Sequence, residues 1–327
     1  HFITSLLIRD YLAHGLPAPP LAFAENYYVH YPKVALPIWP PVFHTLAGMW
    51  MLVFPASIGS VRLLVALVTA VAALLFYRLA TADVGRVAAL ALGFGFIALP
   101  QTQLITRQVM VDGLVTALAL AAALAWRRYG RTLAPRDSLW FGLIGTAAML
   151  TKGNGVALLA LPVAWALVAN RMEVLGRRAT WYGPALMLVA GGPWTAYSAR
   201  LLQRTVADAD ARGTLLTRAW TYGGALIEGV GPVVLAAAFA GLVAVATRRL
   251  RRDAMPDTWA VLAALAIAGA GFHVVLPQPA NWRYLLPLLP VCLWLAARGV
   301  HALGAVVPAR LRAGVMALAS LALIAGV

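Results

Sequence analysis

The sequence predicts an all-α, polytopic membrane protein, and its composition, charge balance and apolar periodicity support this prediction. Of the 327 residues, 62% are apolar and 11% are charged, whereas a soluble domain averages about 45–50% apolar and about 25% charged residues. This difference excludes a soluble globular enzyme, a disordered chain and a fibrous protein. The chain has 26 Lys and Arg against 11 Asp and Glu. In a membrane protein such an excess marks cytoplasmic loops, so no nucleic-acid partner is expected.

Ten apolar segments are predicted to cross the membrane, because a spanning helix needs roughly 20 apolar residues. They cover residues 60–80, 84–100, 109–126, 138–150, 153–169, 180–197, 224–247, 258–277, 283–297 and 311–327. The pair 138–150 and 153–169 can instead form one helix broken at residues 151–155. The chain therefore divides into a first outer loop, residues 1–59, and a transmembrane domain, residues 60–327.

The basic residues predict the orientation of these spans. Most of them lie in one set of short alternate loops, for example at 127–131, 171–178 and 248–252. By the positive-inside rule these loops are cytoplasmic, which places the 1–59 loop on the opposite face. A composition rich in Ala, Arg and Gly suggests a bacterial inner membrane, with the functional site on the periplasmic face.

The first outer loop is predicted to contain two juxtamembrane helices. Phe2–His14 has an amphipathic pattern and is closed by Gly15. The apolar stretch 40–55 offers about 20 Å of helix between prolines, so it is expected to lie along the interface. The alternative is that this stretch spans and residues 1–36 are cytoplasmic.

Between these helices, residues 16–36 are expected to form an extended, proline-rich segment. It carries Glu25, Tyr28, His30 and Lys33. Aromatic and acidic side chains of this kind suit a carbohydrate or a lipid headgroup. A belt of tyrosines at the membrane interface is the alternative interpretation.

Four charged residues are predicted at the outer ends of spans: Arg107, Asp112, Lys152 and Arg283. Charges in or beside a span are costly and tend to mark function. Three cations near one carboxylate suit a lipid-linked phosphate, which Arg contacts with two donors and Lys as a point charge. The alternatives are that Arg107 and Arg283 extend to lipid headgroups and that Lys152 belongs to a simple turn.

The other polar groups inside spans are interpreted as structural. Glu228 and His273 are each expected to be a cap or a satisfied interior group. The single cysteine, Cys292, lies in an apolar run, and no Cys/His cluster is present in the sequence. We therefore expect no metal and no cofactor, although a divalent metal is compatible with the sequence.

The order of several short motifs resembles the GT-C superfamily of membrane glycosyltransferases. The most similar group is the protein O-mannosyltransferase and aminoarabinose transferase type, glycosyltransferase family 39. The motifs are Tyr27–Pro32, Trp39–His44, Gly59–Leu63, Arg107–Asp112, Thr151–Gly153 and Arg283–Pro287. Each is short and degenerate, so the resemblance depends on their order.

The resemblance implies transfer of a hexose or pentose from a polyprenyl-phosphate donor. The acceptor would be a lipid, a glycan or a protein on the non-cytoplasmic face. The residues implied in binding the substrates are Lys33, Arg107, Lys152, Arg283, Tyr284, Glu25, Tyr28 and His30. Asp112 is the acidic residue implied in catalysis within this chain.

The family's usual base precedes the first juxtamembrane helix, which here falls before His1. The chain is therefore expected to be an internal piece of a longer protein. Where the family carries Lys or His before its Pro-Pro pair, this chain has Trp39, and Lys33 or His30 is the candidate for that positive group.

Two other classes of function remain open from the sequence. A transporter or lipid flippase also places charges within spans, and it would be expected to show inverted repeats and midplane charges. No such repeat is detectable in the sequence. A non-catalytic membrane scaffold is the third class.

Overall fold

The computed structural model contains only helices and their connections in the residues that it describes. These are residues 1–205, 214–275 and 282–306, except for the single positions 18, 37, 252 and 254. No strand occurs in these ranges. The prediction of an all-α, polytopic membrane protein is confirmed.

The first outer loop forms three helices, one more than predicted. They are α1 (Phe2–Ala13), α2 (Pro20–His30) and α3 (Pro41–Val53). Helix α1 is closed by Gly15, whose φ of 68° is easily adopted only by glycine. The prediction that residues 16–36 are extended was wrong for Pro20–His30, which form α2. Pro20 stands at the first helical position, where its fixed φ favours a helix, and helix-forming residues such as Leu and Ala follow.

The rest of the chain forms eleven α-helices in the described ranges. They are α4 (Ile58–Val84), α5 (Arg86–Ala98), α6 (Pro100–Thr106), α7 (Asp112–Thr132), α8 (Pro135–Met149), α9 (Leu161–Ala169), α10 (Arg178–Thr205), α11 (Leu215–Val230), α12 (Pro232–Leu250), α13 (Asp257–Val275) and α14 (Leu289–Val306). The described ranges also contain three 3₁₀ segments: Gly153–Ala160, Met172–Gly176 and Trp282–Leu288.

The helix breaks correct the predicted span list at two places. Segment 224–247 is not one helix, because Gly231 adopts a φ of 80° and Pro232 starts α12. Segment 84–100 ends at a bend of 59° between α5 and α6. The chain is broken at residues 151–155, because α8 ends at Met149 and a 3₁₀ segment begins at Gly153. Segment 311–327 lies outside the described residues.

By length and apolar composition, four helical stretches in the described part of the chain are able to cross a membrane. They are α4, α12, α13 and Arg283–Gly304, and the bent pair α5–α6 makes a fifth if it is one span. The other helices are shorter or less apolar. The count of ten spans therefore stays a prediction.

Close helix contacts depend on glycine, as is common in membrane bundles. At Gly241 of α12, an added Cβ would overlap the backbone carbonyl of Leu295 in α14. At Gly299 of α14, it would overlap the carbonyl of Ala237. The two helices therefore touch backbone to backbone at this crossing.

Helices α7 and α8 form an antiparallel hairpin that positions the candidate site. They are joined by Leu133 and Ala134, and Leu133 adopts the left-handed conformation with a φ of 52°. Because the connection is short, the start of α7 and the end of α8 lie at the same end of the hairpin. The aromatic core, with Trp126 and Phe141 packed edge to face, lies toward the other end.

Candidate active site

The centre of the candidate site is an ion pair between Asp112 and Lys152. Asp112 is the first residue of α7, where a carboxylate interacts favourably with the helix dipole. The Lys152 Nζ donates to Asp112 Oδ1, and the side chains are 9% and 2% exposed respectively. Removing two charges from water is costly unless they are paired. The pairing therefore offsets part of the cost of burying both groups.

A tight turn after α8 brings Lys152 to this position. The Lys152 backbone N–H donates to the Ala148 carbonyl at 3.0 Å, and the Gly155 N–H donates to the Lys152 carbonyl at 2.8 Å. An added Cβ at Gly155 would overlap the carbonyl group of Ala148, whereas one at Gly153 would meet no atom within 4 Å. The turn therefore requires glycine at 155 and tolerates a side chain at 153.

The 3₁₀ segment Trp282–Leu288 adds an aromatic ring and a second cation. The Lys152 Nζ lies 4.2 Å from the centroid of the Tyr284 ring, and the Arg283 guanidinium carbon lies 5.5 Å from the same centroid. The Arg283 Nη1 also contacts Met110 Sδ at 3.9 Å. The distances of 4.2 Å and 5.5 Å to the Tyr284 centroid are within the range of a cation–π interaction. We call these four residues, Asp112, Lys152, Arg283 and Tyr284, the Asp112 cluster.

Two residues that were not predicted as site residues support Tyr284. Asn154 Nδ2 donates to the Tyr284 carbonyl at 3.3 Å, and the His273 ring is parallel to the Tyr284 ring with centroids 6.4 Å apart. The supporting role of His273 fits the structural interpretation from the sequence. Asn154 was overlooked because a Gly-Asn-Gly triplet is typical of a simple turn.

A small cavity lies beside this support. Its volume is about 30 Å³, and its lining includes Asn154, Gly155, His273 and Tyr284. One or two water molecules fit such a volume. The cavity is too small for a sugar or a phosphate, so a substrate would have to reach the Asp112 cluster from another side.

The remaining predicted site residues lie at exposed positions. Arg107 follows α6, Lys33 follows α2, and Glu25, Tyr28 and His30 belong to α2. No hydrogen bond or ion pair joins any of them to the Asp112 cluster in the described ranges. The structure thus brings together four of the nine predicted residues: Asp112, Lys152, Arg283 and Tyr284.

Two titratable side chains in the outer-loop helices have shifted pKa values. Burial lowers the pKa of His44 to about 3, and its Nδ1 lies 3.2 Å from Ser5 Oγ. Burial and a hydrogen bond donated to Asp10 raise the pKa of Tyr27 above its ordinary value. Both contacts connect α1 to a neighbouring helix, so they stabilise the loop.

The described residues contain no group of three His, Cys, Asp or Glu side chains placed to hold a metal ion. Cys292 is buried in α14. Within these ranges, the chemistry of the Asp112 cluster is therefore that of two cations, one carboxylate and one phenol ring.

Comparisons with known proteins give two findings. Residues 39–197 match a family model described as dolichyl-phosphate-mannose-protein mannosyltransferase. The matched range includes Asp112 and Lys152, while Arg283 and Tyr284 lie beyond it. A search of curated proteins gave no match.

The second finding is a structural match to ArnT from Cupriavidus metallidurans, solved bound to undecaprenyl phosphate. The TM-score is 0.60 and the identity is 18%, over 88% of this chain and 53% of that chain. This chain therefore spans about half the length of the protein it matches. At this identity the match shows a shared fold. The family resemblance that the motifs predicted is confirmed.

Proposed function

We propose, from the confirmed resemblance of this chain to the GT-C membrane glycosyltransferases, that it transfers a hexose or pentose from a polyprenyl-phosphate donor. The acceptor would be a lipid, a glycan or a protein. The reaction would take place on the non-cytoplasmic face of a bacterial inner membrane, which is the face that the positive-inside rule predicts for the Asp112 cluster. The observation that supports this most is the convergence of Lys152, Arg283 and Tyr284 on Asp112.

Charge complementarity favours a phosphate ligand. The Asp112 cluster contains two cations and one carboxylate. A sugar linked to polyprenyl phosphate is a phosphodiester with one negative charge, so it balances the one positive charge that is left when Asp112 offsets one of the two cations. Arg283 offers planar paired donors to the phosphate oxygens, and Lys152 offers a compact charge beside them.

The reaction that fits these groups is a displacement at the anomeric carbon with inversion. The acceptor hydroxyl oxygen forms the new bond, the bond from the anomeric carbon to the phosphate oxygen breaks, and polyprenyl phosphate leaves with that electron pair. The leaving group gains negative charge during this step. Lys152 and Arg283 stabilise that charge, which is the usual role of fixed cations in a site protected from water.

Asp112 acts in this proposal as an orienting group. It holds the Lys152 ammonium in place through Oδ1. The proton of the acceptor hydroxyl passes to a carboxylate base. In the family that this chain resembles, that base precedes the first juxtamembrane helix. Because the Lys152 ammonium is already in position, it does not have to reorganise during the reaction. The Asp112–Lys152 pair therefore contributes to the rate through this preorganisation.

The exposed predicted residues are proposed to contact the sugar and the acceptor. Glu25, Tyr28 and His30 lie on one helix of the outer loop and Lys33 follows it, while Arg107 follows α6. Their exposure leaves their polar groups available to a ligand that sits between the outer loop and the membrane surface.

The test is donor turnover by the full-length protein in membrane vesicles that contain native acceptors. Radiolabelled polyprenyl-phosphate sugar is supplied, and release of polyprenyl phosphate is measured for Asp112→Asn and Lys152→Ala. Both variants are expected to lose turnover per folded protein. A flippase would move the intact donor without cleaving it, so the assay separates these functions.

Asp83→Asn is the matched control, because Asp83 is also a nearly buried carboxylate in an ion pair, with 8% of its side chain exposed. It is expected to keep wild-type turnover per folded protein. Normal turnover by both Asp112→Asn and Lys152→Ala would refute the assignment of this site.

A further inference from the structure

A second, larger cavity lies between α4 and α7 at the end of α7 remote from Asp112. Its volume is about 570 Å³, and four arginines line it: Arg78 from α4 and Arg127, Arg128 and Arg131 from α7. Fifteen residues separate Asp112 from Arg127, which is about 22 Å along a helix. We propose that this arginine cavity binds the headgroup of an anionic phospholipid in the leaflet predicted to be cytoplasmic.

The charges around the cavity leave a positive excess. Arg128 pairs with Asp137 at 3.1 Å, and Arg131 pairs with Asp257. Two carboxylates thus neutralise two of the four arginines. The other two arginines form no ion pair with a carboxylate in the described ranges.

The unneutralised arginines are Arg78 and Arg127. Arg127 Nη1 donates to the uncharged hydroxyl of Thr258 at 3.1 Å. Arg78 is exposed and makes no hydrogen bond or ion pair with the described residues. Arg127 and Arg131 are also four residues apart on one helix face, a spacing at which like charges repel. A bound anion would relieve this repulsion and pair with the guanidinium groups of Arg78 and Arg127.

The shape of the adjacent surface points to a lipid. Along α4, a row of exposed apolar side chains leads up to Arg78 at intervals of three or four residues. The row consists of Leu63, Leu67, Val71 and Leu74, which are 53%, 48%, 50% and 57% exposed. These intervals place the five side chains on one face of the helix.

The length of this row suits an acyl chain. From Leu63 to Leu74 the helix rises about 16 Å, which is close to half of the roughly 30 Å hydrocarbon core. An acyl chain packed along the row would therefore place its phosphate near Arg78. Clusters of basic residues at the cytoplasmic membrane surface attract anionic lipids.

The two features together define the ligand. The positive excess favours a headgroup with net negative charge over a zwitterionic one, and the apolar row favours a lipid over a soluble phosphate. Phosphatidylglycerol carries one negative charge and two acyl chains, so it is the probe that fits both features.

The test is lipid retention by the purified full-length protein in native mass spectrometry. Equal amounts of phosphatidylglycerol and phosphatidylcholine are supplied in detergent. The wild type is expected to retain phosphatidylglycerol at least about tenfold better, since each basic residue near the surface favours anionic lipid about fivefold and two arginines act together. Arg78→Gln combined with Arg127→Gln is expected to abolish this preference.

Arg177→Gln is the control, because Arg177 is an exposed arginine outside the cavity on the same predicted face. It is expected to retain phosphatidylglycerol like the wild type. Arg78→Gln alone serves as a second variant, because Arg78 has no bond whose loss would disturb folding. It is expected to weaken retention several-fold.

Three outcomes would overturn the proposal. The first is wild-type preference in the double variant, and the second is an equal loss of preference in Arg177→Gln. The third is displacement of phosphatidylglycerol by equimolar glycerol phosphate, which would identify a site for a soluble anion.

Discussion

Two carboxylates, the buried Asp112 and the nearly buried Asp83, occupy similar surroundings and differ in how completely they are hydrogen-bonded. In both places a cation pairs with the carboxylate and lies over an aromatic ring. Lys152 is 4.2 Å from the Tyr284 centroid, and Arg298 is 4.5 Å from that of Trp259. Burial and an ion pair alone would therefore not distinguish the two clusters.

The number of hydrogen bonds does distinguish them. Asp83 Oδ1 accepts from Trp259 Nε1 at 2.6 Å, and Asp83 Oδ2 accepts from Trp294 Nε1 at 2.7 Å. Arg298 adds an ion pair at 3.5 Å. Both oxygens of Asp83 are thus occupied, and the carboxylate links α4 to α13 and α14.

Asp112 is bonded through one oxygen in the described part of the chain. Its Oδ1 accepts from Lys152, and no described residue donates to Oδ2. A carboxylate accepts up to about four hydrogen bonds. Asp112 therefore has an oxygen that can still accept a hydrogen bond, and it lies beside two cations, as suits a site that receives a ligand. Both oxygens of Asp83 already accept hydrogen bonds, as suits a structural link.

The largest effect is expected from Asp83→Ala, which should lower the free energy of unfolding by about 3–5 kcal/mol. It leaves two buried indole N–H groups and a largely buried Arg298 without their partner. Chemical unfolding of the purified protein in detergent measures this. An unchanged unfolding midpoint would show that the saturated cluster is not a structural link.

Next in size is Lys152→Met, which should lower sugar transfer about 10²–10³-fold, because it removes a cation from the developing charge on the leaving group. Transfer per folded protein is measured with labelled donor. Arg298→Met is the matched change in the other cluster and should keep transfer. Equal losses in both variants would erase the distinction between the clusters.

A smaller effect is expected from Gly155→Ala, which should lower transfer and cost about 1–3 kcal/mol of stability. The added methyl group overlaps the Ala148 carbonyl and displaces the turn that carries Lys152. Gly153→Ala, two residues earlier, is the control and should leave both quantities unchanged. Wild-type behaviour of Gly155→Ala would mean that the turn does not position Lys152.

The smallest effect is expected at Tyr284. Tyr284→Phe keeps the ring over Lys152 and should transfer sugar at nearly the wild-type rate. Tyr284→Leu removes a cation–π contact of about 0.5–2 kcal/mol and should raise the KM for the donor several-fold. A ring that serves only for packing would give the same KM for both variants.

Several features of the fold followed from the sequence because they depend on local chemistry. The helix that Gly15 closes was predicted from its amphipathic pattern and its glycine. The missed break at Gly231 also had a local signal, since the Gly-Pro pair there is a strong helix breaker, but the apolar run across it suggested one continuous span. Local conformation outweighed hydropathy at that point.

The candidate site was predictable only in part. Asp112, Lys152 and Arg283 were expected to meet because each is a charge at the outer end of a span, and charges avoid the hydrocarbon. The support of Tyr284 by Asn154 and His273 depends on contacts between residues about 10 to 130 positions apart. No sequence pattern indicates those contacts.

The sequence by itself determined that this chain is helical and embedded in a membrane, because long apolar segments with few charges satisfy their own backbone groups in lipid when they are helical. It also determined which charged side chains stand at span ends. Only the tertiary structure decided which carboxylate is saturated and which has an oxygen that accepts from no described residue. That difference arises from where Trp259 and Trp294 pack against α4, and packing between distant helices is not encoded in any local pattern of residues.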